Sequence, residues 1–140
     1  MATNGGSLKR DLGLLILRIG TAGLLFLGHG WPKITHFNEK AGQFADPLRI
    51  GTMPSLMLVV FAEVFCSSLV AIGLLTRWTV FPIIFFMLVA GFIQHAHDPW
   101  SKKELAFLYL LPFVTLLLTG PGRFSIDGLI AKGRSRGSKS

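Results

Sequence analysis

Apolar residues fall into four blocks along the chain, and each block carries or abuts an ionisable side chain. Leu12–Gly30 holds Arg18, Ser55–Leu75 holds Glu63, Thr79–His95 ends on His95, and Glu104–Thr119 opens on Glu104. Blocks of this length predict helices that cross a bilayer, which takes roughly 20 apolar residues. The expected fold is all-α, a four-helix transmembrane bundle with helices at about 12–30, 55–75, 79–95 and 104–119. The fourth block is short and contains Pro112, so it must kink or recruit flanking residues. Pro32 is expected to stop the first helix, with Trp31 at the membrane interface and Lys33 snorkelling to water.

Between the blocks, residues 32–53 form the one long connection. Phe37, Phe44, Leu48 and Ile50 are spaced among polar residues there, which places part of it on the membrane surface, and Asp46-Pro47 and Met53-Pro54 mark breaks. Thr76-Arg77-Trp78 reads as a tight turn, and Pro82 lies near the first turn of the third helix, where proline is tolerated. The domain plan is a polar lead at 1–11, a membrane domain at 12–128 and a basic tail at 129–140, mobile at its end.

Composition sharpens this reading. Half the chain, 51%, is hydrophobic and 15% is charged, with a mean hydropathy of +0.56, far from an ordinary soluble domain. The net charge of +7 does not imply a nucleic-acid partner, because the basic residues cluster at the termini. They suit juxtamembrane positions that meet anionic lipid. The single cysteine, Cys66, excludes a disulfide framework or a CxxC pair within one chain. Lys9-Arg10 followed by Leu12–Leu27 resembles a signal peptide. Arg18 inside the apolar core and the missing A-x-A-like site argue against cleavage.

Basic residues also set the expected orientation. Lys9, Arg10, Arg77, Arg123, Lys132, Arg134, Arg136 and Lys139 lie on one side, and Lys33, Lys40, Arg49, Lys102 and Lys103 on the other. The positive-inside bias predicts that this multi-pass chain has both termini cytoplasmic.

A charge in hydrocarbon costs several kcal/mol, so the intramembrane ionisable residues should face one another, a ligand or a wet cavity. Counted at ~1.5 Å per residue, Glu63 lies ~12 Å and Arg18 ~16 Å beneath the outer surface. The two are expected to pair directly, since an Arg side chain spans the difference and forks onto a carboxylate. Nearer the surface, His29, His95 and Glu104 come from the ends of three segments and are expected to converge on one site, with Tyr109 bonding into the interior. Each is also an ordinary interfacial residue when taken alone. No spacing signature supports a bis-His haem at His29 and His95. His95-x-His97-Asp98 projects its side chains to different helix faces, so no metal site is expected. Gly20, Thr21, Ala22 and Gly23 permit close helix approach, within the bundle or in a homo-oligomer.

Several short motifs then line up in order. Arg18 in a helix closing on His29-Gly30-Trp31-Pro32-Lys33 is the first, and Glu63 followed by Gly73-Leu74-Leu75-Thr76-Arg77 is the second. Glu104 and the ending Gly120-Pro121-Gly122-Arg123-Phe124-Ser125-Ile126-Asp127 complete the series. Together they resemble the DoxX family of small four-helix inner-membrane proteins, across roughly Leu12–Gly128. The resemblance implies relatives that include the membrane subunit of a thiosulfate:quinone oxidoreductase and a membrane partner linking superoxide and thiol defence enzymes. Without a redox-active cysteine pair, electron transfer here would need a quinone, a bound cofactor or redox partner proteins.

Two functions from different classes remain open. One is a redox-associated accessory subunit whose polar interior binds a quinone head group. The other is a non-catalytic scaffold or small-solute carrier whose charges only hold the bundle together.

Overall fold

The computed structural model describes residues 4–137, with side chains described from Ser7. Every regular element among them is helical. α1 runs Asn4–Leu25, passes through a π-helical turn at Phe26–Gly30 and continues as Trp31–Thr35. α2 is the short Phe37–Ala41, and α3 spans Thr52–Ile72 with a π-turn at Phe61–Cys66. α4 spans Thr76–Gln94 and ends in a third π-turn, Ala90–Gln94. α5 is Trp100–Thr119 and α6 is Ile126–Gly137.

The four long helices run alternately up and down. α1 packs along the second half of α3, and α4 along α5. Their shared core includes Leu25, Ala62, Val70, Ile83, Phe113 and Leu116. The opposite faces are bare apolar surface, with Ile16 and Leu118 72% and 74% exposed. Residues 7–35, α3 and α4 are each long and apolar enough to cross a membrane. α5 matches them in length but carries Lys102, Lys103 and Glu104 in its first turns.

Several boundaries differ from those read off the sequence. Pro32 does not stop α1. A proline near a helix start lacks only an N–H that would otherwise be bonded behind it, and the π-turn has already shifted that ladder, with Trp31 N–H donating to Phe26 O. α1 begins at Asn4, inside the expected polar lead, and residues 1–3 lie outside the described residues. The turn between α3 and α4 is Gly73-Leu74-Leu75, not Thr76-Arg77-Trp78, because Gly73 (φ 74°) and Leu75 (φ 50°) take the left-handed conformation. Pro82 therefore sits inside α4 rather than in its first turn. α5 recruits Trp100–Lys103 to reach 20 residues. α6 occupies most of the expected basic tail and reaches into its expected mobile end, of which 138–140 lie outside the described residues.

At the end of the bundle nearest the termini, Arg18 is the organising side chain. It is 2% exposed and donates Nε–H to Ala71 O at 3.2 Å. Its Nη1 and Nη2 donate to Pro121 O at 2.7 Å and Phe124 O at 2.6 Å. One guanidinium thus ties α1 to the end of α3 and to the α5–α6 connection. Gly73 makes the approach feasible, since a Cβ there would lie 2.8 Å from Arg18 Nη1 and 2.4 Å from Ser125 Cβ. The Asp127 carboxylate accepts the N–H groups of Leu75 (2.8 Å) and Thr76 (2.9 Å), capping the start of α4. Asp11, also buried, faces Arg123 at 3.5 Å.

Candidate functional site

The opposite end is built differently. Three of the four long helices carry a π-turn there, and each π-turn brings a polar group to the same place: His29 on α1, Glu63 on α3, and Gln94 with the adjoining His95 on α4. A π-turn inserts one residue and rotates the rest of the helix about its axis, which breaks the regular carbonyl ladder and re-aims side chains. In α3 the loosened carbonyls are recaptured by hydroxyls. Ser67 Oγ donates to Glu63 O, and Ser68 Oγ to Val64 O at 2.6 Å.

α1 and α3 meet at their π-turns with almost no gap. A Cβ on Gly30 would lie 2.7 Å from Val64 Cγ2 and 2.8 Å from Glu63 O, so only glycine fits without displacement. This contact sets the register. Lys33, one turn further on, reaches Glu63 Oε2 with Nζ at 2.6 Å and His29 O at 3.1 Å. Both side chains are largely removed from solvent, 17% and 9% exposed.

The expected Arg18–Glu63 pair does not form; Lys33 takes the carboxylate instead. The depth count took His29 as the end of the first helix, whereas α1 runs on to Thr35. With Gly30 opposite Glu63, Arg18 falls near Ala71, eight residues or ~12 Å further along α3. Nothing in the spacing alone marked Lys33 as the partner. The usable signal was that a buried carboxylate demands a cation, and Lys33 stands one helical turn after His29.

Glu63 divides two chambers. The larger is a half-open cavity of about 350 Å³ between α3, α4 and the connection before α3. Its wall is mostly apolar (Phe44, Leu48, Val59, Phe86, Val89), and its polar groups are Lys33, Ser55, Glu63, Gln94 and His95. The smaller, about 150 Å³, lies towards α5 and is lined by His29, Glu63, His95, Lys102 and Tyr109 among apolar residues. Glu63, Met87, Ala90 and His95 belong to both walls. The His29 and Tyr109 rings meet edge to face with centroids 5.4 Å apart. Of the expected cluster, His29 and His95 line the smaller chamber, joined there by Tyr109 and by Glu63, which was expected deeper and paired with Arg18. Glu104 is exposed on α5, and Lys102 and Leu105 face the chamber instead.

Two carboxylates outside the helices shape the entrance. Asp98 Oδ2 lies 2.7 Å from His95 Nδ1, fixing the imidazole that closes α4. The hydrogen bond from His95 holds the Asp98 carboxyl below its ordinary range. Asp46 accepts Ser55 Oγ and Ile50 N–H on one oxygen and Gly51 N–H on the other, at 2.8–2.9 Å. The connection carrying Phe44, Leu48 and Ile50 is thereby folded back as a wall of the larger cavity.

The DoxX family's sequence profile matches residues 13–96, which takes in Arg18, both chambers' histidines and the Lys33–Glu63 pair. The chain belongs to the DoxX family. Among relatives, it is 34% identical to the Inner membrane protein YqjF of Escherichia coli (strain K12), over 87% of this chain and 95% of that protein. It is 30% identical to the Uncharacterized membrane protein Rv3486 of Mycobacterium tuberculosis (strain ATCC 25618 / H37Rv), over 79% and 77%. No solved structure gives a significant match. This DoxX chain is accordingly a membrane protein whose bare apolar faces contact lipid.

Proposed function

We propose that this DoxX protein is a redox-associated accessory subunit that holds a quinone head group in the larger cavity. In this reading α5 crosses the bilayer with α1, α3 and α4, both termini are cytoplasmic, and the chambers open towards the outer face. The observation that carries it is the Lys33–Glu63 pair with His95 at the polar end of an otherwise apolar, half-open cavity. A volume of about 350 Å³ lies at the small end of ligand sites, which are apolar with a few placed polar groups. That chemistry suits a ring bearing carbonyl oxygens and an isoprenoid tail. Lys33 Nζ donates to a ring oxygen, and Glu63 and His95 take or give the protons that accompany two-electron reduction. The electrons come from a partner redox protein, since Cys66, the chain's one cysteine, is buried. His29, Tyr109 and the smaller chamber connect Glu63 towards Lys102 for proton exchange with water.

Of the competing readings, a scaffold calls for a filled interior, and the open cavity beside the ion pair weighs against it; a small-solute carrier would share the cavity and is separated from the proposal by quinone binding. Purification in mild detergent, followed by absorbance spectroscopy and mass spectrometry of co-extracted molecules, tests the proposal. Quinone should co-purify, and a short-chain quinone should titrate saturably into wild type and weakly or not at all into Glu63→Gln. Absence of both quinone and saturable titration would overturn it. Cysteine labelling at Lys40 and Ser101 on a Cys66→Ala background tests the orientation; labelling of either from the cytoplasmic side alone would reverse it.

A further inference from the structure

We propose that the cytoplasmic end of the molecule carries a binding surface for anionic phospholipid, formed by α6 and the groove beside Arg77. The inference rests on the bilayer placement proposed above, but not on any ligand in the outer cavity.

α6 is a 12-residue helix with no buried residue. Its first turn is fastened to the end of α3 and the start of α4 through Asp127, whose N–H donates to Gly73 O at 2.9 Å and whose carboxylate accepts the Leu75 and Thr76 N–H groups. Residues 132–136 make no hydrogen bond or ion pair to another element among the described residues. An isolated helix this short is marginal in water, and Gly128 and Gly133 weaken it further. Its pattern supplies the missing support. Ile126, Leu129, Ile130 and Gly133 form one stripe at helical spacing, with Leu129 66% exposed. Lys132 and Arg136 flank that stripe on one side and Arg134 on the other. An apolar stripe between basic flanks is the pattern of a helix lying in an anionic interface. α6 also starts seven residues after the end of α5, so it begins at the membrane face.

The groove is an independent feature. It encloses about 410 Å³ between the start of α4, the Thr119–Gly122 connection and the first turns of α6. Arg77 lies across it, close enough to Gly120 that a Cβ there would sit 3.6 Å from the guanidinium. Among the described residues Arg77, Lys132, Arg134 and Arg136 have no carboxylate partner. Asp127, the acid in the groove, is already occupied by two backbone N–H groups. Trp78, 75% exposed beside Arg77, suits the headgroup level. Four unpaired cations around an apolar stripe favour an anionic lipid surface over a neutral one.

The test places an environment-sensitive fluorophore at Ile130→Cys in the full-length Cys66→Ala protein, reconstituted in phosphatidylcholine vesicles with or without phosphatidylglycerol. The label should be buried in vesicles containing phosphatidylglycerol, and exposed in pure phosphatidylcholine or at high salt. Each of Arg77, Lys132, Arg134 and Arg136 changed to Gln should raise the phosphatidylglycerol fraction needed, about fivefold in apparent affinity per charge. Added inorganic phosphate should not release the label, which separates a lipid surface from a free-anion site. Equal burial in both vesicle types would overturn the proposal, as would burial that tracks protein density, which would assign the stripe to a second copy. A control label at Leu88→Cys, on the bare face of α4, reports the bilayer placement itself. If it too is exposed, the placement has failed rather than the lipid selectivity.

Discussion

Lys33 Nζ lies 2.6 Å from Glu63 Oε2, a contact that closes the α1–α3 junction at the level where both helices widen into π-turns. Removing one partner of a pair so far from water leaves the other charge uncompensated, at a cost of about 3–5 kcal/mol. Lys33→Met should therefore destabilise the protein strongly in a detergent unfolding titration. The Lys33→Met, Glu63→Gln double variant should recover part of the loss. A double-mutant cycle showing simple additivity would remove the pair as a stability determinant.

Arg18 should behave as a separate unit. Its guanidinium satisfies three carbonyls near the termini, and buried acceptors left unsatisfied cost roughly 1–3 kcal/mol each. Arg18→Met should lower stability by several kcal/mol. Arg18→Lys should rescue little, since one ammonium cannot reach three divergent acceptors. Because Arg18 and Glu63 share no partner, their substitutions should add without coupling. Coupling above about 0.5 kcal/mol would contradict the separation of the two side chains.

How legible each part of the molecule is in the sequence depends on how it is encoded. Hydropathy locates the long helices because burial and lipid contact act on whole blocks of residues. It also draws His29 and His95 towards one region, since polar groups at apolar helix ends have few other places to go. The partner of Glu63 is hidden because local pattern assigns a helix stop to Pro32. The π-turn that carries α1 past this proline depends on the fit of Gly30 against Glu63 and Val64, a contact over 30 residues apart in sequence and invisible to local pattern. Glu104 misleads for a different reason: helical spacing puts Lys102, Leu105, Ala106 and Tyr109 on the face of α5 that lines the chamber, and Glu104 falls on the opposite face.

Gly30 offers a sharp test of that fit. Gly30→Ala places a methyl group 2.7 Å from Val64 Cγ2 and 2.8 Å from Glu63 O. Overpacking of this kind costs roughly 1–3 kcal/mol. The backbone carbonyl cannot rotate away, so α1 must shift and Lys33 Nζ must leave Glu63. Reduced stability and a weakened Lys33–Glu63 coupling energy are expected together. Unchanged coupling in the Gly30→Ala background would mean that the ion pair does not depend on helix approach.

Asp46 gives the entrance wall a defined pH response. Burial alone would raise its carboxyl, but the hydrogen bonds from Ser55, Gly51, Ile50 and Arg49 outweigh that and hold it below its ordinary value. A carboxyl with a depressed folded-state value contributes stability that is present above its unfolded value and lost as pH falls through the folded one. The 44–51 connection should therefore stay ordered across neutral and mildly acidic conditions and loosen only in strong acid. Hydrogen exchange at the Gly51 and Ile50 amides is the direct readout, because both donate to this carboxylate. Asp46→Asn retains one acceptor oxygen but no charge, so exchange there should be faster at neutral pH and no longer respond to acid. If wild-type exchange accelerates instead between neutral and mildly acidic pH, the Asp46 carboxylate does not control the wall.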